Sequence, residues 1–268
     1  MFTDPKGVRT PLSHILDQQP PQIPVDWGQG RTAFGGLSSM LATRAMEAAA
    51  TPDDGSERPL QSIAVHFVGP VAVGPVEVQA EVLRAGRYMT QTTARLLSGG
   101  KVALTAHGAH GTPRPSQLEL DPPAAPDLPA PESLPEMPYI PGMMPAFTQH
   151  IEYRWATPHF PFTGGDSPII RGWCRARADH PVDAGLVLLL IDSWPAGVLT
   201  MANTFIAASS VLWMVTFFDT TPLPAHSWLK TEQRTTMSRS GHAENVADVW
   251  SADGRLIARS RQLVTVYG

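Results

Sequence analysis

Cysteine occurs once in 268 residues, at Cys174. One thiol cannot close an internal disulfide, so a reducing compartment is expected, and the cytoplasm is the simplest one. The thiol lies in Ile169-Ile170-Arg171-Gly172-Trp173-Cys174-Arg175, a strand-like stretch that suits a buried structural cysteine better than a nucleophile. Charge is also sparse. It makes up 16% of the chain, with 20 basic against 24 acidic residues and a net charge of -4. The basic residues are scattered and form no stripe, which argues against a nucleic-acid partner. The opening Met1-Phe2-Thr3-Asp4-Pro5-Lys6 has no basic region followed by an apolar run, so no secretory signal is expected. Ser193 to Phe218 is free of charge and long enough to cross a bilayer. Its Pro195, Gly197, Asn203, Ser209, Ser210 and Thr216 read instead as a loop followed by a central strand, with no membrane partner.

Several chemical signatures are missing too. A serine hydrolase of the strand-turn-helix type wants Gly-x-Ser-x-Gly, and Gly36-Leu37-Ser38-Ser39-Met40 lacks the second glycine. His66, His107 and His110 fall on neighbouring strand-like segments but without metal-ligand spacing, so no metal is expected. No glycine-rich phosphate loop precedes a helix, and no cofactor is expected.

Proline, by contrast, is plentiful. Eleven of the 27 prolines lie in residues 112–145. Proline lacks the N–H that a ladder needs and fixes its own φ, so this segment reads as a semi-extended strap. It divides the chain into an N-terminal domain, 1–111, and a C-terminal domain, 146–268.

The two parts repeat one order. Phe34-Gly35-Gly36 opens an Ala-, Leu- and Met-rich helix that is apolar nearly all round, and Pro52 to Gly55 ends it. Four strand-like segments follow, at 60–68, 75–83, 88–97 and 101–110. The second has the clearest alternation, with Val76, Val78, Ala80 and Val82 against Glu77, Gln79 and Glu81. After the strap come strands at 147–155 and 169–178, an apolar helix at 182–192, and strands at 210–218, 228–237, 242–250 and 256–266. His66-Phe67 stands 150 positions before Thr216-Phe217, Arg84-Ala85-Gly86 stands 155 before Arg239-Ser240-Gly241, and Gly100-Lys101 stands 154 before Gly254-Arg255. A nearly constant offset is the mark of duplication. A helix apolar on every side has to be covered, and a curved antiparallel sheet is the obvious cover. The expected fold is therefore α+β: a double hotdog, two antiparallel sheets each wrapping a long apolar helix.

The residues carry a family resemblance. Phe34-Gly35-Gly36 with its helix, Leu60-Gln61-Ser62-Ile63-Ala64-Val65-His66-Phe67-Val68-Gly69-Pro70, and Gly74-Pro75-Val76 with Arg84-Ala85-Gly86-Arg87 resemble the first half of the acyl-CoA thioesterase II type. Trp173-Cys174-Arg175, Leu190-Ile191-Asp192-Ser193 and Asp253-Gly254-Arg255-Leu256-Ile257-Ala258-Arg259-Ser260-Arg261-Gln262 resemble its second half. The resemblance implies hydrolysis of an acyl-CoA in fatty acid metabolism, homo-oligomeric assembly, and a site made of an Asp, a Thr or Ser, and a Gln. It implies Asp192 for the acid, Gln262 for the amide and Ser210 for the hydroxyl. Ser209 is the neighbour that a one-residue slip would select instead.

Each position also has a plainer reading. Asp192 follows Gly185-Leu186-Val187-Leu188-Leu189-Leu190-Ile191 and stands near a helix C-terminus, where the dipole disfavours it. That hints at function, or else the side chain caps the Ser193-Trp194-Pro195 turn. Gly35 and Gly36 put free helix N–H groups where a thioester oxyanion could be met, or they form a tight turn. Arg84 and Arg87 suit CoA phosphates, or they are turn arginines in water. Two other readings stand beside the hydrolase: a non-catalytic hotdog protein that binds an acyl thioester, and a hotdog hydratase. The hydratase needs a His shortly after an Asp-x-Asn-Pro, whereas Asp166-Ser167-Pro168 is followed by Ile169-Ile170-Arg171.

Overall fold

In the computed structural model, which describes residues 9–52, 58–112 and 114–268, the chain opens with α1 (Leu12–Leu16), β1 (Gln22–Ile23), β2 (Gly28–Gln29) and β3 (Thr32–Ala33). Then come α2 (Gly35–Ala50), β4 (Leu60–Phe67), β5 (Gly74–Ala85), β6 (Met89–Ser98) and β7 (Lys101–Gly111). The second half runs β8 (Ile151–Trp155), β9 (Ile169–Ala176), α3 (Ala184–Asp192), β10 (Ala208–Phe217), β11 (Leu229–Arg239), β12 (His242–Ser251) and β13 (Leu256–Val266). The Met1–Lys6 opening and the Asp53–Gly55 part of the turn after α2 lie outside the described residues.

The eleven strands β1, β4–β13 form one continuous sheet, in the order β1-β5-β6-β7-β4-β10-β13-β12-β11-β9-β8. This corrects the expectation of two separate sheets. β4 and β10 pair directly, from Leu212↔His66 to Thr216↔Ser62. Neither strand carries a proline or an Asp, Glu, Lys or Arg to blunt its edge, and an open flat edge favours pairing. The order reads symmetrically outward from that seam: β4, β7, β6, β5 on one side and β10, β13, β12, β11 on the other. This is the spatial form of the duplication.

α2 and α3 lie against each other, and α2 also covers β5, β6 and β7. A Cβ built at Gly36 would stand 3.0 Å from Leu189 Cα, and one at Gly185 would stand 3.0 Å from Met40 Cγ. The helices therefore run antiparallel and approach at two glycines. Gly185 through Ile191 are all buried, as an all-apolar helix requires. The helix expected from Val182 begins only at Ala184, and Asp183, inside the expected run, is instead its N-cap, accepting from the Leu186 N–H at 2.8 Å.

The strand expected from Phe147 begins only at Ile151. Residues Ala146–His150 form a 3-10 turn instead. Phe147 is used in the core, stacked on Phe34 with centroids 3.7 Å apart.

The strap lies on the second half. A proline ring removes a donor but leaves the carbonyls free to accept. Trp173 Nε1 donates to Pro129 O at 2.9 Å, Lys230 Nζ to Pro126 O at 2.9 Å, and Trp250 Nε1 to Pro123 O at 3.2 Å. Cys174 is buried beneath this sheet, where it accepts from Trp194 Nε1 at 3.3 Å. Burial pushes its thiol up to about 12. Iodoacetamide at pH 8 is expected to leave Cys174 unmodified in the native protein and to label it fully in denaturant, as mass spectrometry will show. Fast native labelling would mean that the thiol is reachable.

Candidate active site

Four elements from both halves meet at one end of the helix pair. α3 ends on Asp192, α2 begins with Gly35-Gly36, β10 brings Ser210, and β13 brings Gln262. Gln262 Nε2 donates to Asp192 Oδ1 at 3.0 Å and to Ser210 Oγ at 2.7 Å. Both N–H groups of one amide are thereby used, which fixes its orientation. The Gly36 backbone N–H hydrogen-bonds to the Asp192 carboxylate. A Cβ at Gly35 would stand 2.9 Å from Asp192 Oδ2 and 3.1 Å from Phe67 Cε1. All five residues singled out from the sequence are thus brought together.

The electrostatics follow from that placement. Burial is the largest influence on Asp192 and raises its carboxyl to about 7, against the opposing hydrogen bonds from Gln262 and from the Gly36 N–H. A second carboxyl, Glu47, is also raised to about 7, first by burial and then by Asp183. It belongs to the opposite end of the helix pair, beside the N-cap of α3, and takes no part in this cluster.

The choice between Ser210 and Ser209 turns on a bulge. Trp213, Val215 and Phe217 alternate inward on β10, and simple alternation would carry Val211 and Ser209 to the same face. The register shifts between Ser210 and Leu212, so Ser210 pairs with Val264 while Trp213 pairs with Gln262. The extra residue, Val211, flips the strand. Ser210 comes to the inner face and Ser209 is exposed.

Among the described residues the duplication yields one such cluster. Across the offsets of 150 and 154, Asp192, Ser210 and Gln262 correspond to Ala42, Leu60 and Gly108. No carboxyl or amide stands at those positions. Arg84 is level with Ser62 through the pairs Arg84↔Gln91, Gln91↔Ala109 and Ala109↔Ser62. That is five residues from Phe67, roughly 16 Å along the strands, and three strands to the side. Arg84 and Arg87 are exposed hairpin residues, and the Arg87 guanidinium lies 5.0 Å from the Tyr88 ring.

Sequence reasoning missed three neighbours. Phe67 packs its ring edge beside Gly35. Tyr153 on β8 donates to Ser193 O at 3.3 Å, just past Asp192. Gln233 on β11 donates to Ile191 O at 2.9 Å. The one trace of Gln233 in the sequence is that it shares its strand face with Thr231 and Thr235, a polar stripe on a face that is buried.

A duplicated antiparallel sheet backed by two apolar helices, with one polar cluster at their junction, is a double hotdog. Two family profiles cover it: one described as the acyl-CoA thioesterase N-terminal domain matches residues 23–111, and one described as the acyl-CoA thioesterase C-terminal domain matches residues 124–266. The chain belongs to the acyl-CoA thioesterase family. Solved structures agree on the fold. A conserved hot dog fold protein of unknown function from Alicyclobacillus acidocaldarius superposes with a TM-score of 0.80 at 22% identity, covering 92% of each chain. An acyl-CoA thioesterase II, TesB2, from Mycobacterium marinum gives 0.68 at 20% identity, over 88% of this chain and 90% of its own. A tesB protein from Mycobacterium avium subsp. paratuberculosis gives 0.71 at 19% identity, over 92% and 91%. At these identities the likeness speaks for fold alone. No curated protein sequence matches the chain.

Proposed function

We propose that the protein hydrolyses an acyl-CoA to the free acid and CoA, with Asp192, Ser210 and Gln262 as its catalytic residues. The observation that carries this reading is the single amide of Gln262 that ties a carboxylate to a hydroxyl at the junction of the two halves. Ionised Asp192 takes a proton from water as the water oxygen attacks the thioester carbonyl. The tetrahedral intermediate collapses by breaking its C–S bond, and the CoA thiolate leaves and takes up the proton. Ser210 and Gln262 hold the water in line, the orientation contribution to rate. Gly36, expected from the sequence as an oxyanion donor, has its N–H on Asp192 in the resting site and acts there as a positioning contact. Gly35 is the proposed donor to the oxyanion. The setting we propose is cytoplasmic, with the chain as a homo-oligomer.

The test is free-thiol release from short, medium and long acyl-CoAs, with Ser210→Ala and Ser209→Ala in parallel. Wild type is expected to turn over at least one chain length. Ser210→Ala is expected to lose about tenfold or more in kcat, a modest share of the 10²–10⁴ available to acid-base groups, and Ser209→Ala to stay within twofold. No thiol release by wild type on any substrate removes the hydrolase reading and leaves a binding protein. Equal losses in the two serine variants would reject the bulge-defined face.

A further inference from the structure

An apolar helix that ends on a carboxylate has an electrostatic problem. Its last carbonyls point their negative ends toward the same region. Three of the carbonyls at this end of α3 are met by side chains, and Ile191 O also accepts from the Trp194 N–H at 3.4 Å. Ser193 Oγ donates to Leu190 O at 2.7 Å, Gln233 Nε2 to Ile191 O at 2.9 Å, and Tyr153 Oη to Ser193 O at 3.3 Å. The first is local. The other two reach in from the sheet.

Gln233 does not stand alone. Its Oε1 accepts from Asn245 Nδ2 at 2.7 Å. Asn245 Oδ1 accepts in turn from the Gly197 N–H at 3.1 Å and from Thr235 Oγ1 at 3.2 Å. Thr235 Oγ1 accepts from the Val198 N–H at 2.8 Å. Gln233 and Asn245 are 2% and 3% exposed, so these bonds face no competition from bulk water. The direction of the chain is unambiguous. A backbone N–H fixes the oxygen of Asn245 at one end, and a backbone carbonyl fixes the nitrogen of Gln233 at the other. Asn245 is also the direct ladder partner of Gln262 on β13. The relay therefore starts beside one catalytic residue and ends at the peptide preceding another.

We propose that Gln233, oriented by Asn245, is a positioning residue for Asp192: it holds the Ile191 carbonyl so that the carboxylate meets Gln262 and the Gly36 N–H. This rests on the hydrolase reading for its kinetic consequence, but the geometry can be measured without activity. Gln233 touches no reacting atom. The titratable group facing Asp192 from the sheet is Tyr153 on β8, whose hydroxyl is raised above its ordinary value chiefly by burial and in part by Asp192. From α2 the Asp192 carboxylate receives the Gly36 N–H.

The test uses Gln233→Met, which keeps the shape and loses the donor, and Asn245→Asp, which keeps the Oδ1 acceptor but puts an acceptor against Gln233 Oε1. Two readouts are taken on the full chain: kcat and KM across pH 5–9, and the carboxyl titration of Asp192 by ¹³C NMR on labelled protein, assigned with Asp192→Asn. Both variants are expected to lower kcat about tenfold with KM within twofold, and to move the Asp192 midpoint to higher pH by about half a unit or more, because the Ile191 carbonyl, without the Gln233 donor and held by the longer Trp194 N–H contact, disfavours the charge. An unmoved midpoint together with kcat within twofold in a folded variant overturns the proposal. So does loss of the fold in both variants, which would make the relay scaffold only. If wild type hydrolyses nothing, the NMR shift still decides the positioning claim, and the hydrolase reading fails separately.

Discussion

Asp192→Asn is expected to lower kcat for acyl-CoA hydrolysis by a hundredfold or more and to raise the melting temperature in the same sample. The kinetic loss follows from removing the one group in the cluster able to take a proton from water. The stability gain follows from the same burial. An unfolded Asp carboxyl ionises near 3.8 and the folded one near 7. Between those values the folded state holds a proton that the unfolded state has released. Stability therefore falls as pH rises from about 4 to about 7, and the full penalty is present above 7. A carboxyl moved that far is worth at most about 4 kcal/mol. Asparagine carries no charge to bury, and its one amide oxygen can still accept from Gln262 or from the Gly36 N–H. The melting-temperature gap is expected to be several degrees at pH 8 and to close toward pH 4. In wild type the ionised form is the active one, so kcat is expected to rise with pH through about 7. Glu47→Gln is the control. Glu47 is also raised to about 7, so removing it is expected to stabilise the protein at pH 8 as well. It lies outside the cluster, so the rise of kcat with pH should stay in place. An Asp192→Asn protein that hydrolyses acyl-CoA at the wild-type rate would remove Asp192 from catalysis, whatever its melting temperature.

Much of this arrangement is legible in the sequence, and the parts that are not share a physical reason. Both helices announce themselves by being apolar nearly all round, and β5 by its alternation. The halving is visible because proline cannot enter a ladder, so the strap stands out against what flanks it. What the sequence hides is pairing between strands distant in the chain. Hydropathy shows that β4 and β10 each have one buried face, and it does not say that their open edges meet. That is why two sheets were expected where one is found. The serine has the same cause. Alternation through Trp213, Val215 and Phe217 points to Ser209, and only the bulge at Val211 brings Ser210 inward. Gln262 shares the inner face with Ala258 and Ser260. On alternation alone it is an ordinary strand residue, and the family resemblance singled it out. Phe147 misled for a different reason: its apolar character is satisfied by stacking on Phe34 in a 3-10 turn, so β8 starts four residues later.

Gly36→Ala is expected to cost both stability and activity, where a helix-propensity argument alone would have it gain. Replacing Gly by Ala inside a helix usually stabilises by up to about 1 kcal/mol. Here the new Cβ would lie 2.5 Å from Phe34 Cζ and 3.0 Å from Leu189 Cα. The phenyl ring cannot swing away easily, because it is stacked on Phe147 at 3.7 Å. Leu189 Cα is backbone and cannot move without moving α3. Overpacking of this kind costs about 1–3 kcal/mol, so the clash outweighs the propensity gain, and a fall in melting temperature of about 5 °C is expected for a chain of this size. The functional loss should exceed what stability explains. Pushing α2 away from α3 separates the Gly36 N–H from the Asp192 carboxylate at the point where the two halves build the site. A loss of tenfold or more in kcat is expected well below the melting temperature. Gly185→Ala supplies the comparison, since it sits at the other crossing of the same two helices. Its Cβ would meet Met40 Cγ at 3.0 Å, the side chain of a flexible residue that can adapt. It should leave kcat within twofold and stability within about 1 kcal/mol. If the two alanines behave alike, the close approach at Gly36 is not what holds the helix N-terminus to the carboxylate. If only Gly36→Ala fails, the site depends on that contact between the two halves.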